Sequence, residues 1–145
     1  MLPTTAERVP ASTSCEVNEQ IRERTDADVA RFGTSSHAEI DRRLQDLDQE
    51  WDIERTIEAN ASTVALTGLG LGAFVDRRFF ALPAVVASFL LMHALQGWCP
   101  PVPILRRLGF RTQTEIEEER YALKALRGDF VDVTTVEEAL RAVRR

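Results

Sequence analysis

Hydrophobic positions fall into three regimes along the chain. In the first, they recur at helical spacing among charges. Val17, Ile21, Val29 and Phe32 share one face at intervals of four, eight and three, with polar Thr25 in the gap. Gly33 and the Thr-Ser-Ser after it mark an end. Ser36 then stands three residues ahead of Glu39, the spacing of a capping box, and opens a second helix. Its stripe is Ile40, Leu44, Leu47 and Trp51, with Ile57 extending the apolar content. Asp41, Arg42, Arg43, Asp46, Asp48 and Glu50 fill the other face. A stripe this narrow suits helix pairing or a helix lying on a surface.

The middle regime loses its charges. Ala59 to Val75 contains none, and neither does Phe79 to Leu105; only Asp76, Arg77 and Arg78 stand between. The first run has 17 residues, about 25 Å as a helix at ~1.5 Å per residue. The second is bounded by Phe79 and Phe80 at one end and Trp98 at the other, the aromatic belt of a membrane span. Pro83 is tolerated near a first helical turn. Together the runs predict a transmembrane helical hairpin. Pro100, Pro101 and Pro103 end it, and a short piece from Ile104 leads to Leu108 and Gly109.

Charged helical pattern then returns. Thr114 with Glu117 opens a helix through Ile116, Tyr121, Leu123 and Leu126, stopped near Gly128. Thr134 with Glu137 opens a last one through Val136, Leu140 and Val143. The short Phe130–Val133 stretch is the one strand-like pattern. The expected fold is all-α: a flexible lead-in over 1–14, an acidic amphipathic helical region over 15–58, the two-span membrane hairpin over 59–105, and a C-terminal cytoplasmic helical region over 106–145.

Charge narrows the choice of partners. The net charge of −5 is concentrated at the front, where residues 1–60 carry 14 acidic and 7 basic side chains. No segment supplies the basic stripe that nucleic acid requires. Arginines flank the hairpin at Arg42, Arg43 and Arg55 on one side and Arg106, Arg107, Arg111 and Arg120 on the other, while its turn has only Arg77 and Arg78. The positive-inside rule therefore places both termini in the cytoplasm. Residues 1–14 hold no apolar run, so no signal-peptide core is expected there. Ala11 to Cys15 has the look of a lipoprotein cleavage site but lacks the hydrophobic segment before it.

Candidate chemistry is sparse. Two cysteines, Cys15 and Cys99, and two histidines, His37 and His93, do not have the spacing of a zinc site, and cysteines 84 positions apart give no disulfide framework. No catalytic residue, cofactor or metal ligand is expected. Cys99 ends the second span, where the helix C-terminus disfavours a thiolate. His93 and Gln96 share a face of that span and need hydrogen-bond partners in lipid. Gly68 and Gly72 form a small-residue face, extended by Ala65, suited to packing in the hairpin or across a homodimer. Ala84 and Ser88 offer the second span a smaller groove at the same spacing.

The box Gly97-Trp98-Cys99-Pro100 after a charge-free hairpin, followed by Leu108-Gly109 and Thr112, resembles the YgaP-like inner-membrane domain family. The resemblance covers roughly Glu58 to Thr112 and carries over Gly97, Cys99, Pro100, Leu108 and Gly109 as motif positions. It implies a bacterial inner-membrane location and two short membrane helices, in a domain of unknown biochemical function. Some family members carry a rhodanese sulfurtransferase domain before the hairpin. The helical pattern here departs from one, so no sulfurtransferase site carries over. The expected function is a non-enzymatic interaction or scaffold module in the lipid bilayer, assembling as a dimer or with another membrane protein. The alternatives are a membrane-associated thiol or sulfur-handling protein using Cys99, and a soluble helical bundle that buries both runs.

Overall fold

A computed structural model describes residues 3–131 and 133–144. Its helices are α1 (Arg8–Ala11), α2 (Cys15–Gly33), α3 (His37–Gln49), α4 (Ile53–Phe74), α5 (Ala81–Gln96), α6 (Val102–Arg107), α7 (Gln113–Arg127) and α8 (Val136–Arg144), with a 3-10 turn at Arg77–Phe80. No strand occurs among the described residues, so the chain is all-α. The strand-like stretch begins instead as a turn, with Val131 N–H donating to Gly128 O, and its Asp132 lies outside the described residues. Two compact units form, each discontinuous in sequence. One joins the chain up to Ile21 with Trp51–Gln113, and the other joins Arg22–Glu50 with the chain from Thr114 onward.

The first unit is built on a hairpin of α4 and α5. Asp52 starts α4 by accepting a hydrogen bond from Arg55 N–H at 2.6 Å, and Asp76 caps the 3-10 turn through Arg78 N–H at 2.8 Å. The small face of α4 is used inside this hairpin. A Cβ on Gly68 would meet Pro83 and Leu82 side chains at 2.8 and 3.0 Å, and one on Gly72 would meet the Phe80 ring at 2.8 Å. Of the two uses expected for this face, packing in the hairpin or across a homodimer, the chain's own α5 and turn take the first.

At the foot of the hairpin a small core gathers Val9, Ile53, Ile57, Cys99 and Val102, with Leu90, Leu105 and Phe110 packed against it. Within the stretch expected as a lead-in, Arg8–Ala11 form the helical turn α1 and Val9 is buried. Arg106 ties α6 to the start of α2, donating to Asn18 Oδ1 at 2.9 Å and to Phe110 O at 3.1 Å. Ile53 N–H donates to Arg111 O at 2.8 Å.

Away from the foot the hairpin is apolar and uncovered. Phe74, Val75, Leu66, Val85 and Leu91 are all exposed. The segment Arg77–Gln96 is long and apolar enough to cross a membrane, with 6 % of it buried in the fold. α4 does not reach that apolarity, because Asn60, Ser62, Thr63, Thr67 and three glycines dilute it.

In the second unit Ile40, Leu44 and Leu47 pack with Ile116 and Leu123, and Phe32 covers them. Trp51 does not join this stripe. α3 stops at Gln49, and the exposed indole stacks under Arg55, whose guanidinium lies 4.4 Å from the ring centroid. Between the apolar positions of α7 lies fully buried Glu119, which receives Arg43 Nε at 2.7 Å and Nη2 at 3.0 Å. Arg127 pairs with Asp41 and Asp129. Tyr121 and Leu126, expected on the inner stripe of α7, are exposed. α7 begins at Gln113, ahead of Thr114. The cap of α8 lies one residue later than expected, with Glu138 rather than Glu137 accepting from Thr134 and Thr135 N–H. Val136, Leu140 and Val143 on α8 are exposed, and Ala142 is its buried residue.

Candidate functional site

The polar groups that the apolar unit does bury converge at the hairpin foot. His93 sits on the last turn of α5, where α4 begins alongside it, so the base of one helix meets the base of the other. His93 Nε2 lies 2.6 Å from Glu54 Oε2. Glu54 Oε1 lies 3.1 Å from Arg8 Nη2, and Arg8 Nη1 donates to Ala94 O at 3.2 Å. The line Arg8–Glu54–His93 thus links α1, α4 and α5. Burial pushes the Glu54 carboxyl up, but hydrogen bonds from His93 and Arg8 outweigh it and hold the group below the usual carboxylate range.

Cys99 belongs to the small core at this foot, with Val9, Ile53, Ile57 and Val102. Its thiol is free, and the residue is 2 % exposed. His93 Nδ1 is buried and has no hydrogen-bond partner. Gly97 makes the approach of α1 feasible. Its φ of 73° is left-handed, and a Cβ there would fall 2.1 Å from Arg8 O, so α1 can reach the end of α5 only across a glycine.

The sequence-derived candidates separate in space. His93, Gly97 and Cys99 come together at the foot. Gln96 does not join His93: its side chain is exposed, and its backbone carbonyl accepts from Ser12 Oγ at 2.8 Å. Pro100 is exposed at the turn into α6, Leu108 is exposed at its end, and Gly109 follows with φ of 90°. Gly68 and Gly72 lie within the hairpin.

Glu54 and Arg8 are the residues that sequence reasoning misses. A signal existed for Glu54, a carboxylate just inside the start of an apolar helix and level with the far end of its hairpin partner. Arg8 gave none. Among the described residues no group of three or more His, Cys, Asp and Glu side chains is placed to hold a metal ion. The site therefore offers a buried thiol, an imidazole with one open nitrogen, and a carboxylate oriented by a guanidinium. No protein-family model, curated protein or solved structure matches the chain, so the geometry of this foot stands on its own.

Proposed function

We propose that the chain is a small integral membrane protein of YgaP-like type, whose α4–α5 hairpin enters the bacterial inner membrane. Its foot and charged helices stay in the cytoplasm and serve as an interaction or scaffold module. The observation that carries this reading is the exposure of α5: a segment of membrane-spanning length and apolarity leaves its side chains uncovered. A soluble bundle needs those same side chains inside.

Two features support the hairpin as the inserted element. Phe79, Phe80 and Trp98 stand at its two ends. The polar side chains of α4 already bond to their own helix, Asn60 to Thr56 O at 2.8 Å, Thr63 to Ala59 O at 2.7 Å and Thr67 to Thr63 O at 2.8 Å. Hydroxyls satisfied in this way cost less in lipid.

Extraction of isolated membranes with alkaline carbonate tests the proposal, with the protein expected to stay in the pellet. Peripheral attachment through the acidic helices is disfavoured by repulsion from anionic lipid. Release of most of the protein into the supernatant overturns the reading.

A further inference from the structure

Helix α6 is packed with its polarity reversed. Val102 is fully buried, Leu105 packs on the core of the hairpin foot, and Arg106 beside them is 1 % exposed. The helical repeat puts Ile104, Arg107 and Leu108 together on the opposite face, where Ile104 is 61 % and Leu108 68 % exposed. Against water the opposite roll is favoured, with both aliphatic side chains inside and the arginine out. The roll is fixed from within: Arg106 donates to Phe110 O at 3.1 Å and to Asn18 Oδ1 at 2.9 Å. A guanidinium held at two buried points does not turn outward without losing both.

The charges around this face select what covers it. Arg107 is exposed and has no acidic partner among the described residues. No acidic residue occurs from Phe79 to Thr114. Those at the start of α4 are engaged, Asp52 by Arg55 N–H and Glu54 by Arg8 and His93. The outer face of α6 is thus aliphatic with one unanswered cation, and half-buried Trp98 ends the apolar span just before it. An indole at that position favours the boundary between acyl chains and headgroups. There the aliphatic side chains take the acyl side and the guanidinium pairs with phosphate. A second copy docking by the same face brings Arg107 against Arg107, which like charge disfavours.

We infer that α6 is an interfacial foot, seated in the headgroup layer beside the hairpin and recognising anionic phospholipid. Ile104 and Leu108 point toward the acyl chains, and Arg107 holds a lipid phosphate. Because Arg106 locks α6 onto the foot, this seat sets how deeply the hairpin enters, independently of the length of its apolar run. The placement rests on the membrane reading of the hairpin, which carbonate extraction tests without involving α6. A protein that stays in the carbonate pellet with α6 in water keeps that reading and loses this one.

The full-length protein in nanodiscs of phosphatidylcholine and phosphatidylglycerol provides the test. An environment-sensitive fluorophore is attached at Ile104→Cys or, separately, at Leu108→Cys, in a Cys15→Ser background where Cys99 is buried. Both probes should emit as in an apolar medium and be quenched by lipids carrying a nitroxide near the headgroup. Water-like emission at both positions overturns the inference. So does apolar emission that the lipid quenchers do not reach, because protein then covers the face. Charge is read on the unlabelled protein, as its preference for spin-labelled phosphatidylglycerol over spin-labelled phosphatidylcholine. That preference should fall about fivefold in Arg107→Gln and persist in Arg107→Lys. It should also weaken at about 1 M salt, where charges are screened beyond ~3 Å, while the two probes stay in their apolar setting. A preference indifferent to Arg107→Gln overturns the assignment to anionic lipid.

Discussion

At Gly97 two demands meet in one residue, a left-handed φ of 73° and the Arg8 carbonyl 2.1 Å from where a Cβ would stand. Strain of this kind costs about 1–3 kcal/mol, and here backbone must also move. Gly97→Ala is expected to lower stability by ~2 kcal/mol or more and to loosen α1. Denaturant unfolding in detergent reads the first effect, and an unchanged midpoint contradicts it. The Arg43–Glu119 pair makes a second prediction at this scale. Glu119 is fully buried, whereas the Arg43 side chain is 20 % exposed. Arg43→Ala removes two charge-assisted hydrogen bonds from a fully buried carboxylate, a loss of about 1.5–3 kcal/mol, while Glu119→Gln leaves an arginine that still reaches water. The first variant should therefore unfold well before the second in thermal melts. Arg43, read with the charged face of its helix, stands three residues after Ile40 and four before Leu47, and Glu119 stands between Ile116 and Leu123. Their charge suggested solvent, and only their pairing brings them inside.

Single helices behave largely as their local sequence dictates. Glu39 accepts from Ser36 N–H at 3.0 Å and from its hydroxyl at 2.9 Å, so the capping box read from spacing is formed. Hydrogen bonds from Ser36 backbone and side chain hold the Glu39 carboxyl below its ordinary 4.5. A carboxyl depressed in the folded state stabilises above its unfolded pKa, and that contribution disappears as pH falls through the folded value. Glu39→Gln should flatten part of the acid limb of unfolding below about pH 4.5, as followed by circular dichroism. A limb identical to wild type removes the cap from the pH response. The glycines of α4 diverge in the same local terms. Nothing lies within 4 Å of a Cβ at Gly70, whereas the Phe80 ring blocks one at Gly72. Gly70→Ala is expected to be neutral or to stabilise by up to about 1 kcal/mol, and Gly72→Ala to destabilise the hairpin. Equal effects in unfolding measurements contradict this placement.

For the whole molecule, the proposed insertion fixes an orientation. With seven arginines flanking the hairpin against two in its turn, a cysteine at position 77 should react with a membrane-impermeant maleimide in intact cells. A cysteine at position 130 should react only after lysis, and the reverse pattern refutes the orientation. The dimer expected from the sequence cannot use Gly68 and Gly72, which Leu82, Pro83 and Phe80 cover. The exposed small pair Ala84 and Ser88 remains open on α5. Leucine at both should weaken crosslinking in native membranes, and crosslinking indifferent to that change removes this face from the contact.

The main helices, the Ser36–Glu39 cap and the charge-free runs followed from the sequence alone, because each depends on residues within about one turn of one another. The same local logic placed Cys99 and His93 at one end of a hairpin. It did not bring Glu54 to His93 across 39 positions, or Arg8 to the Ala94 carbonyl across 86. Those meetings depend on where two antiparallel helices end relative to each other and on α1 folding back onto them. Nor did local spacing reveal that the first unit takes in both Val9 and Val102. Periodicity states which face of a helix is apolar; only the tertiary structure decided what covers it, and at this foot it joined Arg8, Glu54 and His93.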